Sequence, residues 1–204
     1  MALFPPWGYN LANMTFLKNK ISGLFSDTRW GLDFWRTWFP SPSEVTPSLI
    51  DREYFQVLNK ELPKKPITLA VMGTIIHTKR QREAILALRQ LIMEGCDLQL
   101  NIYGHLLDVY KSYIDELMEL SKDPLLIGRV KFHDFVADPH QVARENHIIL
   151  STSIAEGLPQ ALILNQASGL LPVACPAGGI PEVVIDGETG FLADGFEVEH
   201  IVIA

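Results

Sequence analysis

The sequence predicts an α/β fold in which a Rossmann-like parallel sheet carries helices on both faces. Short apolar runs alternate with helix-period stripes from residue 64 onward, and this alternation is typical of a parallel sheet built from strand–helix–strand units. The runs are continuously apolar, as expected for strands that are buried on both faces. Hydrophobic residues make up 48% of the 204-residue chain and charged residues 20%, a composition that excludes wholesale disorder.

The individual elements follow from these patterns in chain order. The first strand is the run PITLAVMGT, and later strands are predicted at residues 98–104, 130–135, 147–153 and 172–175. Apolar residues three or four positions apart predict the helices between them. These helices are placed at residues 84–92 with a stop at Gly95, around 110–117, at 156–168 with entry through Pro159, and at 181–185.

The beginning of the chain has a different composition, and we expect residues 1–62 to form an aromatic-rich segment, irregular or helical, ahead of a domain at 63–204. All four tryptophans lie in it (Trp7, Trp30, Trp35 and Trp38), and it shows no strand–helix alternation. The turn-rich run FPSPSEVTPS follows the last tryptophan. Two interpretations stay open: a piece of a larger domain that depends on a partner, or an aromatic patch that contacts a membrane surface or another protein.

Charge and cysteine content narrow the function classes. The chain has 17 Lys and Arg against 24 Asp and Glu, a formal net charge of −7, which argues against a nucleic-acid partner bound through its phosphates. Cys96 and Cys175 have neither the spacing of a zinc site nor the number needed for a disulfide framework. They fit a reducing compartment, so we expect a cytoplasmic protein, peripheral to a membrane if the aromatic segment binds one.

The loops that follow the strands are the candidate site, because ligands of parallel α/β sheets bind at the carboxyl ends of the strands. The loop GTIIHTKRQ places Lys79 beside a predicted helix start, where a cation is unfavourable unless an anion binds there. A phosphate site and an ordinary solvated basic face both fit this loop. It contains neither the dinucleotide-binding nor the P-loop glycine pattern, which disfavours a flavodoxin-like or NAD-binding domain.

Two further loops add a carboxylate and glycines. STSIAEGLPQAL places Glu156 at a strand-to-helix turn, where it either complements a helix dipole or accepts hydrogen bonds from sugar hydroxyls. Gly157 permits close approach to the backbone. PAGGIPEVV contains Gly178 and Gly179, which either line a ligand pocket or form a plain turn.

Residues 66–104 and 151–192, in this order, resemble the donor-binding half of GT-B fold glycosyltransferases. The similarity is to the retaining group that includes glycogen-synthase-like and lipopolysaccharide hexosyltransferases. It implies transfer of a hexosyl group, with retention, from a nucleotide-diphosphate sugar to a saccharide or lipid-linked acceptor. No cofactor or metal is implied. The resemblance also implies that residues 1–62 are a partial or degenerate acceptor domain and that the donor domain is truncated at its C-terminal end.

The resemblance assigns two catalytic residues, Lys79 on the donor diphosphate and Glu156 on the transferred sugar. The other donor-binding positions that it implies are Gly73, Thr74, Phe135, Val136, Gly157, Leu158, Gly178 and Gly179. Among these, Phe135 and Val136 correspond to the region that borders the nucleobase, through backbone contacts.

Two positions depart from the family pattern. Leu164 replaces the second glutamate of the E-x7-E motif, and the adjacent Asn165 is displaced by about 100° around a helix. Thr74 stands where the family usually has an arginine on the diphosphate. Because a charged hydrogen bond contributes roughly 1.5–3 kcal/mol, a catalytically inactive interaction module is the alternative to an enzyme.

Overall fold

The computed structural model describes residues 20–46, 48–55 and 66–204. The chain divides into two compact units, Met1–Leu49 and Ile50–Ala204. The boundary predicted between residues 62 and 63 falls in the stretch 56–65, and Trp7 falls in 1–19, so both predictions lie outside the described residues.

The first unit contains a small strand–helix–strand arrangement, so the expectation of no alternation in this segment was wrong. Strands β1 (Leu24–Ser26) and β2 (Ser43–Val45) pair in parallel, and helix α1 (Arg29–Arg36) lies between them in the chain. The Thr28 hydroxyl oxygen caps α1 by accepting a hydrogen bond from Gly31 N–H at 3.1 Å. Strands of three residues are too short to show a hydrophobic period, which is why sequence patterning misses them.

The second unit is built on a six-stranded sheet in which every pair of neighbours is parallel. Its strands are β3 (Ile67–Met72), β4 (Leu98–Tyr103), β5 (Val130–His133), β6 (Ile148–Ser151), β7 (Leu171–Ala174) and β8 (Phe191–Leu192). Their spatial order is β5-β4-β3-β6-β7-β8. Strands β4 and β5 are thus added on one side of β3. The chain then returns, and β6, β7 and β8 are added on the other side of β3. Open α/β sheets bind ligands beside such a reversal, at the carboxyl ends of the two central strands.

Helices cover both faces of this sheet, which confirms the predicted fold class. They are α2 (Gln81–Met93), α3 (Lys111–Leu120), α4 (Pro139–Glu145), α5 (Gln160–Ala167) and α6 (Val198–Ile203). One buried cluster joins α2, α3 and α6 to residues such as Leu100 and Ile102, and a second joins α4 and α5 to Ala70 and Ile149. The alternation of side chains along each strand divides the core into these two layers.

Strand β8 matches no predicted strand, and three helical elements differ from their predictions. Helix α4 was missed, although Asp138 and Pro139 are a helix-start signal, and the Asp138 carboxylate accepts from His140 N–H at 2.9 Å. Helix α5 begins at Gln160, so Glu156 lies in the preceding loop and does not complement the first turn of that helix. The helix predicted at 181–185 is a single 3₁₀ turn, Ile180–Glu182.

None of the helices in the described part of the chain has both the length and the apolar character needed to cross a membrane.

Candidate functional site

Lys79 and Glu156 lie together at the carboxyl ends of β3 and β6, beside the point where the strand order reverses. Lys79 Nζ is 2.6 Å from Glu156 Oε1, and the two side chains are 26% and 13% exposed. The pair is therefore partly desolvated but still open to solvent on one side. The structure thus joins two residues that sequence reasoning proposed independently from different loops.

The backbone around Lys79 is unusual. Lys79 ends the 3₁₀ turn His77–Lys79, and α2 begins two residues later without a side-chain cap. Between them, Arg80 has a φ of 53°, and among the described residues it is the only one other than glycine with a positive φ. A left-handed conformation costs a residue with a Cβ atom about 1–2 kcal/mol. In the first turn of α2, Arg82 N–H donates to Tyr113 OH at 3.1 Å and Glu83 N–H donates to Arg80 O at 3.1 Å, so these two groups are not available to an anion.

The loop after β7 packs directly against the loop that carries Glu156. Gly178 has a φ of 54°, and a Cβ atom there would lie 1.8 Å from the carbonyl oxygen of Glu156. Gly179 N–H donates to Gly157 O at 3.2 Å. A Cβ atom on Gly157 would meet nothing within 4 Å, so this glycine borders open space. Packing thus requires glycine at Gly178, whereas at Gly157 the structure leaves room for a ligand.

Gly73 and Thr74 belong to the same loop as Lys79, the loop after β3. Gly73 N–H donates to Tyr103 O at 3.0 Å, and a Cβ atom on Gly73 would lie 3.5 Å from Lys79 Cε. Thr74 contributes its carbonyl oxygen, which accepts from Gln81 Nε2 at 3.1 Å. Gln81 is fully buried, and its Oε1 atom has no hydrogen-bond partner. The first loop is thus held by its own backbone and by a buried amide.

Phe135 and Val136 follow the carboxyl end of β5. In the sheet, β5 is two strands away from β3, which precedes the loop of Lys79. Phe135 is 53% exposed and stacks on His105, with ring centroids 4.8 Å apart. Val136 packs against the core layer of α4 and α5. His105 was not singled out from the sequence, and its position directly after the second strand is the signal that points to it.

The structure also shows what surrounds the missing second glutamate. Leu158 and Leu164 are half-buried. Asn165 is fully buried, and its Nδ2 donates to Ala161 O at 2.8 Å and lies 2.9 Å from Met72 Sδ. The amide nitrogen of Asn165 is thus engaged, whereas its Oδ1 atom is buried without a hydrogen-bond partner among the described residues. That Asn165 is a poor substitute for a glutamate at Leu164 stays a prediction.

Cys175 lies at the end of β7. Burial raises the pKa of its thiol to about 11, and the charge of Arg80 partly opposes that rise. Cys175 therefore stays a neutral thiol near pH 7, and it packs as an apolar group in the core. In the described part of the chain, no group of three or more His, Cys, Asp or Glu side chains is arranged to hold a metal ion.

Residues 54–204 match the family model described as glycosyl transferases group 1. No curated protein matches the chain. Among solved structures, HepE of Anabaena in complex with UDP and glucose aligns with a TM-score of 0.78 and 21% identity, over 98% of this chain and 57% of that one. Sucrose-phosphate synthase from Thermosynechococcus elongatus aligns with a TM-score of 0.81 and 16% identity, over 100% and 53%.

A third similar structure is the C-terminal domain of LpcC, a group 1 glycosyl transferase from Francisella tularensis. It aligns with a TM-score of 0.65 and 23% identity, over 76% of this chain and 84% of that one. At these identities the likeness establishes the fold alone. The chain spans little more than half the length of HepE and of sucrose-phosphate synthase.

Proposed function

The chain belongs to the glycosyl transferases group 1 family, and on that premise we propose that it binds a nucleotide-diphosphate sugar. We further propose that it takes part in transferring a hexosyl group, with retention, to a saccharide or lipid-linked acceptor. The observation that carries the proposal is the Lys79–Glu156 pair, 2.6 Å apart at the reversal point of the sheet. The crystallisation of HepE, which has the same fold, with UDP and glucose supports it.

Lys79 is the proposed contact to the donor diphosphate. An ammonium group has three N–H donors, and among the described residues Glu156 is the partner of Lys79 Nζ. The remaining N–H donors of this ammonium group are available to phosphate oxygens. As the bond between the sugar and the diphosphate breaks, negative charge develops on the leaving oxygen. Lys79 would stabilise that charge.

Glu156 is the proposed contact to the transferred sugar. A carboxylate accepts hydrogen bonds from hydroxyl groups, so the donor would exchange the Lys79–Glu156 bond for two separate ones, phosphate to Lys79 and sugar hydroxyl to Glu156. Gly157 and Leu158 would contribute backbone contacts to the sugar in the open space beside Gly157. Gly178 and Gly179 would line the same pocket. Holding the sugar in this way fixes its orientation for transfer.

The remaining assignments extend this pocket. Gly73 and Thr74 would line it beside Lys79, and Phe135 with Val136 would border the nucleobase. The donor is a substrate, and the proposal includes no cofactor. A cytoplasmic location, and contact of the aromatic N-terminal segment with a membrane surface or another protein, are also part of the proposal.

A catalytically inactive interaction module is the second candidate, favoured by Leu164 and Thr74 at positions where the family has charged donor contacts. Such a module keeps the fold and binds donors weakly or not at all. The two candidates therefore differ in donor affinity and in whether sugar transfer occurs.

Calorimetric titration with UDP-, GDP- and ADP-sugars tests the proposal. We expect one of the three series to bind, and Lys79→Met and Glu156→Gln each to weaken that binding by at least about tenfold, since each removes a charge-assisted hydrogen bond. Lys122→Met is the matched control, because it removes a surface Lys–Glu pair of the same length, Lys122 Nζ to Glu119 Oε2 at 2.6 Å. Absence of binding to all three series at millimolar concentration would overturn the proposal.

A further inference from the structure

We infer that Thr152 is a positioning residue for the proposed donor site, because its hydroxyl holds the backbone of Lys79 and Arg80 in the conformation that presents Lys79. Thr152 follows β6 directly and is 1% exposed. Its Oγ1 lies 2.9 Å from the carbonyl oxygen of Lys79 and 2.8 Å from that of Arg80. This inference rests on the proposed function.

The hydroxyl acts where the chain is strained. Its single hydrogen is shared between two consecutive carbonyl oxygens, those of the residues that lead from the 3₁₀ turn into α2. Arg80 there has φ 53° and ψ 44°, a conformation that a residue with a Cβ atom keeps only when surrounding contacts impose it. The Thr152 hydroxyl is such a contact, and it comes from the first residue of the loop after β6.

A neighbouring backbone bond joins the same two loops. Ile154 N–H donates to Thr78 O at 3.0 Å, so Thr152 and Ile154 together connect the loop after β6 to the residues on either side of the Lys79 amide. Glu156 lies four residues beyond Thr152 on that same loop. Thr152 thus sets the relation between the two loops whose side chains form the Lys79–Glu156 pair.

Without the hydroxyl, the expected change is a relaxation of Arg80 out of the left-handed region. The direction of the chain between the 3₁₀ turn and α2 would then change, and Lys79 Nζ would lose its preset position. The consequence is a loss of diphosphate affinity without a loss of nucleoside affinity, since the nucleoside is not bound by Lys79.

The test replaces Thr152 in a graded series and measures binding of UDP and inorganic pyrophosphate by calorimetry, and of uridine by ligand-observed NMR. Thr152→Val keeps the shape and removes the hydroxyl; we expect it to weaken UDP and pyrophosphate by about tenfold, the effect of one lost hydrogen bond to the site backbone. Thr152→Ser should restore affinity to within about threefold of the original, and Thr152→Cys, a weak donor, should fall between. Uridine binding should not change.

Two further variants separate positioning from general stability. Ser168→Ala removes another fully buried hydroxyl, which donates to Leu164 O at 2.9 Å at the far end of α5, and it should leave all three ligands unaffected. In an Arg80→Gly background, Thr152→Val should have a smaller effect, because glycine adopts the left-handed conformation without strain. An equal effect in both backgrounds would overturn the inference.

Amide exchange in the free protein distinguishes this inference from the proposed function. If Thr152→Val lowers the protection of the Ile154 amide while the original chain binds neither pyrophosphate nor any of UDP, GDP and ADP, the loop-holding role stands and the proposed function fails. If the original chain binds both and Thr152→Val binds them equally well, the inference fails and the proposed function stands.

Discussion

Two clusters of polar side chains differ in how fully their hydrogen-bonding groups find partners within the cluster. One, the β4–β5 network, consists of Asn101, Tyr103, His133, Glu145 and Asn146. Asn101 Nδ2 donates to Asn146 Oδ1 at 2.8 Å, and Asn146 Nδ2 donates to Tyr103 OH at 2.9 Å. Tyr103 OH donates to Glu145, and His133 both contacts Asn101 Oδ1 and stacks on Tyr103. Burial raises the pKa of the Tyr103 hydroxyl, so it stays a donor.

The other cluster, around Lys79 and Glu156, contains hydrogen-bonding groups that have no partner among the described residues. Gln81 Oε1 is buried without a partner, and Lys79 Nζ has donors to spare beyond Glu156. A network whose polar groups are paired with one another stabilises the fold, whereas a cluster with unmet hydrogen-bonding capacity is suited to a ligand. The comparison therefore separates polar groups that stabilise this protein from those that serve its proposed function.

The largest expected effect is at Gly178, where the site is built on backbone contact. Gly178→Ala should lower the free energy of unfolding by about 2–5 kcal/mol, from a left-handed φ and an overlap with Glu156 O. Gly157→Ala, which meets open space, should stay within about 0.5 kcal/mol. Urea denaturation of both variants gives the comparison. Equal stability would show that the packing of these loops is not as described.

An intermediate effect is expected in the β4–β5 network. Asn146 is fully buried. Asn146→Ala removes the acceptor of Asn101 Nδ2 and one donor to Tyr103 OH, so the free energy of unfolding should fall by about 2–3 kcal/mol. Donor affinity should stay within about twofold, because energetically separate sites act independently. Equilibrium unfolding and UDP titration of the same variant measure the two quantities. A large loss of affinity here would erase the distinction between the clusters.

A small effect on stability is expected at Lys79, well below that of Asn146→Ala. Lys79→Met should change the free energy of unfolding by less than about 1 kcal/mol, because a partly exposed ion pair contributes little. Donor binding by the same variant should be strongly reduced. Thermal and urea unfolding check the first expectation. A loss of stability as large as that of Asn146→Ala would place Lys79 among the structural residues instead.

Much of the second unit was predictable because its signals are local and strong. The runs that form β3 and β4 are apolar over their whole length, and the stripe on α2 repeats with the helical period. Helix α4 was also within reach, from the Asp138–Pro139 start signal. The short strands β1 and β8 were not, since two or three residues carry no period.

The sequence by itself determined the alternation of strands and helices, the loops that carry Lys79, Glu156 and the paired glycines, and the family to which they point. Each of these depends on residues close together in the chain. Only the tertiary structure decided that Lys79 and Glu156 form an ion pair, that Gly178 must lack a Cβ atom, and that Thr152 holds the strained Arg80. These depend on the return of the chain from β5 to β6, which brings distant segments within hydrogen-bonding distance and leaves no local trace in the sequence.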